Sequence, residues 1–317
     1  MSWHPTTSIQ TLQARAIILS TIRQFFATRN ILEVETPLLS HATVTDPHVR
    51  GIPAEVTLRN KPHTFYLQTS PEYAMKRLLA AGSGPIYQIC KAFRQGDLGR
   101  YHNPEFTMLE WYQLNIDHHG LMDEMDALLQ SVLQTASAER VTYAELFRKY
   151  VELNPHLATD EELKNAVQER IQLGSELSER NDCLELLFTH CIEPYIAQER
   201  PLFLYDFPVS QAALAKIRHE DPPVASRFEV YFKGIELANG FHELQDVAEQ
   251  RRRFEKDLVY REKHRLPLVP IDENFLGALE HGMPECAGVA LGVDRLVMLA
   301  LGESEVVKVL SFGVERA

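Results

Sequence analysis

Between Ile86 and Tyr112, in IYQICKAFRQGDLGRYHNPEFTMLEWY, two runs of strand-like residues stand on either side of a polar loop. Side chains on a β-strand alternate between its two faces. Gln88, Cys90, Ala92 and Arg94 therefore share one face of the first run, and Phe106, Met108, Glu110 and Tyr112 share one face of the second. A chain that pairs these runs can place a guanidinium, two aromatics and a carboxylate on one surface. That set suits a ligand carrying a phosphate, a flat ring and an amine: Arg94 for the phosphate, Phe106 for the ring, Glu110 and Tyr112 for the amine. An ordinary hairpin with a solvated polar loop is the competing reading of the same residues.

With 317 residues and a hydrophobic share of 45%, the chain can bury a large core in one domain or two. A formal net charge of -12 argues against diffuse attraction to nucleic acid and confines any RNA affinity to a local patch. Cys90, Cys183, Cys191 and Cys286 show no CxxC pairing and no secretory leader precedes them, so a reducing cytoplasm is the expected compartment and a disulfide or zinc site is not expected. No apolar run is long enough to suggest a bilayer span.

From the N-terminus, Ser8 to Asn30 reads as an amphipathic helix with Leu12, Ala16, Leu19, Ile22 and Phe26 along one stripe and Asn30 as a left-handed stop. ILEVETPLLS is strand-like, and Pro37 assigns it to an edge, a bulge or an interface. In LQTSPEYAMKRLLAAG, Ser70 is the expected N-cap, Pro71 the first helical residue and Glu72 an acid in the first turn, with Gly82 or Gly84 as the stop. Capping accounts for Ser70 and Pro71; Glu72 either completes the helix start or meets a substrate amine. Asp117 to Gln134 is helical, and a mainly helical, charge-rich insertion is expected at about 142–199, before a strand at RPLFLYDFP. No linker or repeat interrupts the chain, which reads as one continuous domain.

In RFEVYFKGIELANGFHEL, Lys233-Gly234 predicts a hairpin turn. Glu229, Glu236 and Glu243 recur at intervals of seven, and the last two share a face only if the strand is bulged or bent, for which Asn239-Gly240 is the expected place. Such acids are either solvated on an outer face or joined by a cation, and nucleotide-bound magnesium would serve. In CAGVALGVDRLVMLALG, Gly288 and Gly292 allow close backbone approach, and Arg295 falls in the first turn of a helix starting near Asp294. A cation there opposes the helix dipole by a few tenths to about 1 kcal/mol, so Arg295 is either exposed or facing an anion. The glycine spacing matches neither a Walker loop nor a Rossmann fingerprint.

Taken together, FRQG with RYHNPEFTMLEWY resembles motif 2 of the class II aminoacyl-tRNA synthetases, GVALGVDRLVMLALG resembles motif 3, and the helix ending at VETP resembles motif 1. SPE, HNPEFTM, ELANGF and GVDRLVML follow the order of the lysyl-tRNA synthetase catalytic core over nearly the whole chain. The motif 1 helix is reached almost at once, without an anticodon-binding OB domain before it. That start, with YHNPEF and FHEL, resembles the synthetase paralogues that ligate (R)-β-lysine to a lysine of translation elongation factor P.

The resemblance implies an α+β class II catalytic fold, an antiparallel sheet flanked by helices, over 1–317, and a homodimer formed partly around Pro37. ATP and Mg2+ are the implied cofactors, elongation factor P and (R)-β-lysine the implied partners, and neither stable tRNA binding nor a membrane is expected. Arg94 and Arg295 would be catalytic, on the α- and terminal phosphates. Gln95, Gly96, His102, Asn103, Phe106, Glu236, Leu237 and Gly292 would also meet ATP, with Glu229 and Glu236 on the metal. Ser70, Pro71, Glu72, Glu110, Tyr112, Asn239, Glu243 and Ala290 would line the amino-acid pocket. Two positions depart from the lysyl-tRNA synthetase pattern: Gly96 stands where motif 2 has a glutamate, and Ala290 where a glycine is usual. A minimal tRNA-charging enzyme, an amide-forming ligase and a silent regulatory paralogue are the alternatives.

Overall fold

The computed structural model describes residues 3–172 and 179–317, so the part of the expected insertion at 173–178 lies outside the described residues. Contacts divide the chain into two compact units, Met1–Ile116 with Ser131–Leu133 and Gln245–Ala317, and Asp117–Gln130 with Gln134–Leu244.

The first unit opens with α1 (Ile9–Ala27), capped where the Ser8 hydroxyl accepts from the Thr11 N–H, and Asn30 takes the left-handed conformation (φ 56°) that ends the turn. Short strands β1 (Leu32–Glu33) and β2 (Leu39–Ser40) lie on either side of Pro37, which cannot donate to a ladder. Strands β3 (Ile52–Leu58) and β4 (Lys61–Leu67) form a hairpin, and the small sheet has the order β2-β4-β3. After α2 (Glu72–Ala80), strands β5 (Ile86–Phe93) and β6 (Glu105–Leu114) pair antiparallel, as their alternation predicts. Phe26 of α1 stacks on Tyr87 at 4.3 Å and meets Trp111 edge-on at 5.3 Å, which seats the helix on the strand pair.

The second unit holds α3 (His118–Leu133) up to Gln130, then β7 (Glu139–Thr142), α4 (Tyr143–Tyr150), α5 (Asp160–Arg170) and α6 (Arg180–Leu187). Capping boxes start α4 at Thr142/Glu145 and α5 at Thr159/Glu162. These helices bury Leu146, Phe147, Leu163, Val167, Leu184 and Leu187 in one apolar cluster with Leu202, Leu204 and Tyr231. Strands β8 (Leu202–Pro208), β9 (Ile217–Arg218), β10 (Val224–Phe232) and β11 (Ile235–His242) complete the unit, in the order β11-β10-β8-β7 with β9 on β10. Lys233 and Gly234 both have positive φ (52° and 69°), the pair of left-handed residues that a tight hairpin needs.

The chain returns to the first unit with α7 (Val247–Lys263), α8 (Glu273–Gly282), β12 (Cys286–Gly292) and α9 (Val293–Ala300). Here the sheet order is β1-β5-β6-β12, antiparallel except for β1 on β5. Antiparallel-dominated sheet with packed helices is the expected α+β class.

Two local expectations are corrected. Pro71, not Ser70, is the N-cap of α2; the Ser70 hydroxyl accepts from the Glu72 N–H (3.0 Å) from one position earlier. The bulge that re-phases the acids lies at Leu237 rather than at Asn239-Gly240. Val230 pairs with Ala238 and Tyr231 with Glu236, which leaves Leu237 as the extra residue. Glu229 faces Asn239 across the ladder and Tyr231 faces Glu236, so all four share a face.

Candidate active site

The β5–β6 register sets Gln88 opposite Glu110, Cys90 opposite Met108 and Ala92 opposite Phe106, so the predicted residues stand on one face. On β12, Ala290 lies opposite Glu110 and Gly292 opposite Met108, extending that face by one strand. Arg94 leaves the end of β5 with its guanidinium 5.2 Å from the centre of the Phe106 ring. Its buried Nε has no hydrogen-bond partner among the described residues.

Arg295 comes from the first turn of α9, yet it is not simply exposed. Its Nε donates to the Tyr101 carbonyl (3.2 Å) and Nη2 lies 2.6 Å from His102 Nε2. Burial first, and then the Arg295 charge, hold the His102 imidazole below its ordinary pKa, so the neutral ring accepts from the guanidinium. The helix that carries Arg295 is fixed by its neighbour Asp294, which is buried, accepts from the Thr107 N–H (2.8 Å) and lies 2.7 Å from the Arg15 guanidinium.

In the loop itself the assignments diverge. Gly96 is exposed and has φ 89°, a backbone state that favours glycine over the glutamate found in relatives of motif 2, so this position can serve a ligand only by its backbone. The Gln95 N–H is bonded to the Arg50 carbonyl (2.8 Å). Asn103 is buried with its amide already engaged: Nδ2 donates to the Glu105 carbonyl (2.6 Å) and Oδ1 accepts from the Val314 N–H (3.1 Å). Beside it, the Gly313 N–H donates to the Thr6 hydroxyl (3.0 Å) and the Thr6 N–H to the Ser311 carbonyl (2.7 Å). Asn103 therefore braces the loop from behind.

The acidic end of the face is built around Glu110, which is 2% exposed. One of its oxygens accepts from the Ser70 hydroxyl and the other from the Tyr112 hydroxyl, both at 2.6 Å. Burial, and secondarily the Glu72 charge, push its carboxyl up to about 7 despite those two bonds and the Lys76 charge. Glu72 is already partnered, by Lys76 Nζ at 2.6 Å.

In the second unit, Glu229 accepts from the Tyr231 hydroxyl (2.6 Å) and pairs with Arg227, and burial raises its carboxyl pKa, with the Glu236 charge adding to the rise. Arg227 also donates from Nε to Asn239 Oδ1 (3.1 Å) and from Nη1 to the Gln211 carbonyl (2.8 Å). Two carboxylates on one face are hard oxygen donors that fit magnesium. Leu237 is buried at the bulge, and Glu243, buried just beyond β11, bridges to Ala215.

Residues 2–316 match the family of class II tRNA synthetases (D, K and N). The chain belongs to this family. Among curated proteins it is 57% identical to the elongation factor P--(R)-beta-lysine ligase of Vibrio cholerae serotype O1, over 99% of this chain and 98% of that protein. It is 52% identical to the protein of the same description from Edwardsiella ictaluri, over 100% of this chain and 98% of that one. Membership brings the family's reaction type, ATP-dependent ligation.

Three groups beside the candidate residues escaped the sequence reading: Lys76 beside Glu72, Arg227 beside Glu229, and the Arg15–Asp294 pair beside Arg295. The i,i+4 spacing of Glu72 and Lys76 is a readable signal for the first. Arg15 and Asp294 are too far apart in the chain to leave one. Of the arginines on α7, Arg251 pairs with Glu273 (2.6 Å), and Arg252 (2.6 Å) and Arg253 (2.8 Å) with Glu249.

Proposed function

We propose that this protein activates (R)-β-lysine with ATP as an adenylate and transfers it to a lysine side chain of translation elongation factor P. One arrangement carries the reading: a buried carboxylate pinned by two hydroxyls on the same strand pair as a guanidinium-and-ring platform. A diamino acid needs such an acid for an ammonium group, and ATP needs such a platform. The descriptions of the two close relatives agree with it.

In this reading the substrate carboxylate attacks the α-phosphate and pyrophosphate leaves, with no side-chain nucleophile. Anion–anion repulsion dominates the barrier, and fixed cations lower it without reorganising. Arg94 holds the α-phosphate and Phe106 stacks on adenine. Arg295, oriented by His102, holds the terminal phosphate. Gln95, Gly96, Asn103 and Gly292 of the first unit would meet the nucleotide, several of them through backbone, and so would Leu237 of the second. Glu229 and Glu236 would hold magnesium, which supplies charge neutralisation of the phosphates when bound. Ser70, Pro71, Glu72, Glu110, Tyr112 and Ala290 of the first unit would meet the amino acid, and so would Asn239 and Glu243 of the second. The acceptor amine then attacks the adenylate carbonyl and AMP leaves.

Residues 1–317 would work as one catalytic domain, in the cytoplasm and as a homodimer, without stable tRNA binding. Exposed Ile17, Leu32, Leu38 and Leu39 around the Pro37 segment support the dimer, and no helix among the described residues is long and apolar enough to cross a membrane. The test is ATP/pyrophosphate exchange with α-lysine and (R)-β-lysine, followed by intact-mass analysis of elongation factor P and a tRNA-charging control. Exchange without modification of elongation factor P would overturn the proposal.

A further inference from the structure

Lys76 is 1% exposed, a position lysine takes only when its charge is matched. It lies on α2 one turn after Glu72, with Nζ 2.6 Å from Glu72 Oε1 and 5.7 Å from the centre of the Phe275 ring of α8. The groups that face Glu110 are Glu72 and Lys76 of α2, Ser70 just before it, Tyr112 of β6, Gln88 and Cys90 of β5 and Ala290 of β12. Of these only Lys76 is cationic. With all three ionised, Glu72, Glu110 and Lys76 carry one net negative charge.

We propose that Lys76 is a positioning residue for amino-acid recognition: as the resident cation of the Glu72–Glu110 pair, it leaves that pair with the charge for one incoming ammonium rather than two. This rests on the functional reading above only in naming the incoming group as a substrate ammonium. The physical basis is general. Two buried carboxylates without a cation do not both stay ionised, and one of them holds a proton instead of a ligand. Lys76 occupies Glu72, and Glu110, clamped by Ser70 and Tyr112, is the acid left to exchange its proton for the ammonium.

The direct readout is the infrared carbonyl stretch of protonated Glu110 in the ligand-free protein, assigned by its loss in Glu110→Gln. The band should titrate out near pH 7 in the parent protein. In Lys76→Met it should persist to a pH higher by about one unit, and in Glu72→Gln it should vanish at lower pH, because that change leaves Lys76 facing Glu110 alone. Lys76→Arg, which keeps the charge, should stay near the parent. The acidic limb of kcat/KM for the amino acid should move in parallel, since it reports the free enzyme. A purely structural lysine would instead lower kcat/KM equally at every pH. The proposal is overturned if the band titrates at the parent pH in Lys76→Met, or, should that variant not fold, if Glu72→Gln leaves it unmoved. A shifted band in a protein that supports no lysine-dependent exchange would defeat the functional reading while leaving the role of Lys76 in place.

Discussion

Ala290→Gly tests whether one methyl group selects the isomer of the substrate. Ala290 lies directly opposite Glu110 in the β12–β6 ladder, and side chains at directly opposed antiparallel positions project to the same face with Cβ atoms about 4.5–5.5 Å apart. Glu110 cannot swing away, because both its oxygens are held at 2.6 Å by Ser70 and Tyr112. An ammonium seated on Glu110 is thus set within reach of the Ala290 methyl, and moving an amino group by one carbon along the substrate brings it against that methyl or away from it. One methyl of fit is worth about 1–3 kcal/mol, or about 10–200-fold in relative kcat/KM. Ala290→Gly should move the α-lysine to (R)-β-lysine ratio in ATP/pyrophosphate exchange toward α-lysine by that order, measured at a pH well above 7 so that Glu110 is ionised. Glycine within a strand also costs about 0.5–1 kcal/mol of stability, which a thermal melt would register and which cancels in the ratio. An unchanged ratio in a folded variant would refute the steric account.

Arg15→Leu should cost about 3–5 kcal/mol in urea unfolding, because it strands the buried Asp294 carboxylate; a loss below about 1 kcal/mol would show that the pair is solvated. Glu110 titrates near 7 in the folded protein against its ordinary 4.5, so the folded state holds the extra proton between those values. Stability should therefore fall as pH rises from 4.5 through 7, and Glu110→Gln should flatten that part of the profile; a profile identical to the parent's would count against the burial argument. Ile17→Glu, placed on an exposed apolar face of α1, should convert a dimer to a monomer in light scattering, and a mass unchanged from the parent would exclude that face as the contact.

Alternation was enough to say which residues of β5 and β6 share a face, since a slip by one would turn Phe106 and Glu110 to the opposite face. Lys233-Gly234 and Pro37 were equally readable, each through a backbone restriction local to its own turn or edge. Parity alone demanded a bulge between Glu236 and Glu243. It could not say where, and the strand placed it at Leu237, a residue with no turn chemistry, because the position is chosen by pairing with Val230 and Tyr231. Nothing in the local pattern of α2 marks Lys76 as buried, and only packing against Phe275 and Glu72 makes it a buried charge. Gly96 stands out in the sequence only as a departure from the motif 2 glutamate, and its φ of 89° gives the physical reason for a glycine in this loop. Partners that meet across hundreds of residues, as Arg15 and Asp294 do, leave no mark on local patterns.

Thr6, Ser311, Gly313 and Val314 knot the two termini together on the side chain that braces the nucleotide loop. A change in either of these segments is therefore transmitted, through fewer than a handful of hydrogen bonds, to the loop that carries the proposed nucleotide residues. Cutting the chain before Val314 would remove the donor to Asn103 Oδ1 and loosen the loop, which on the proposed reading should raise KM for ATP.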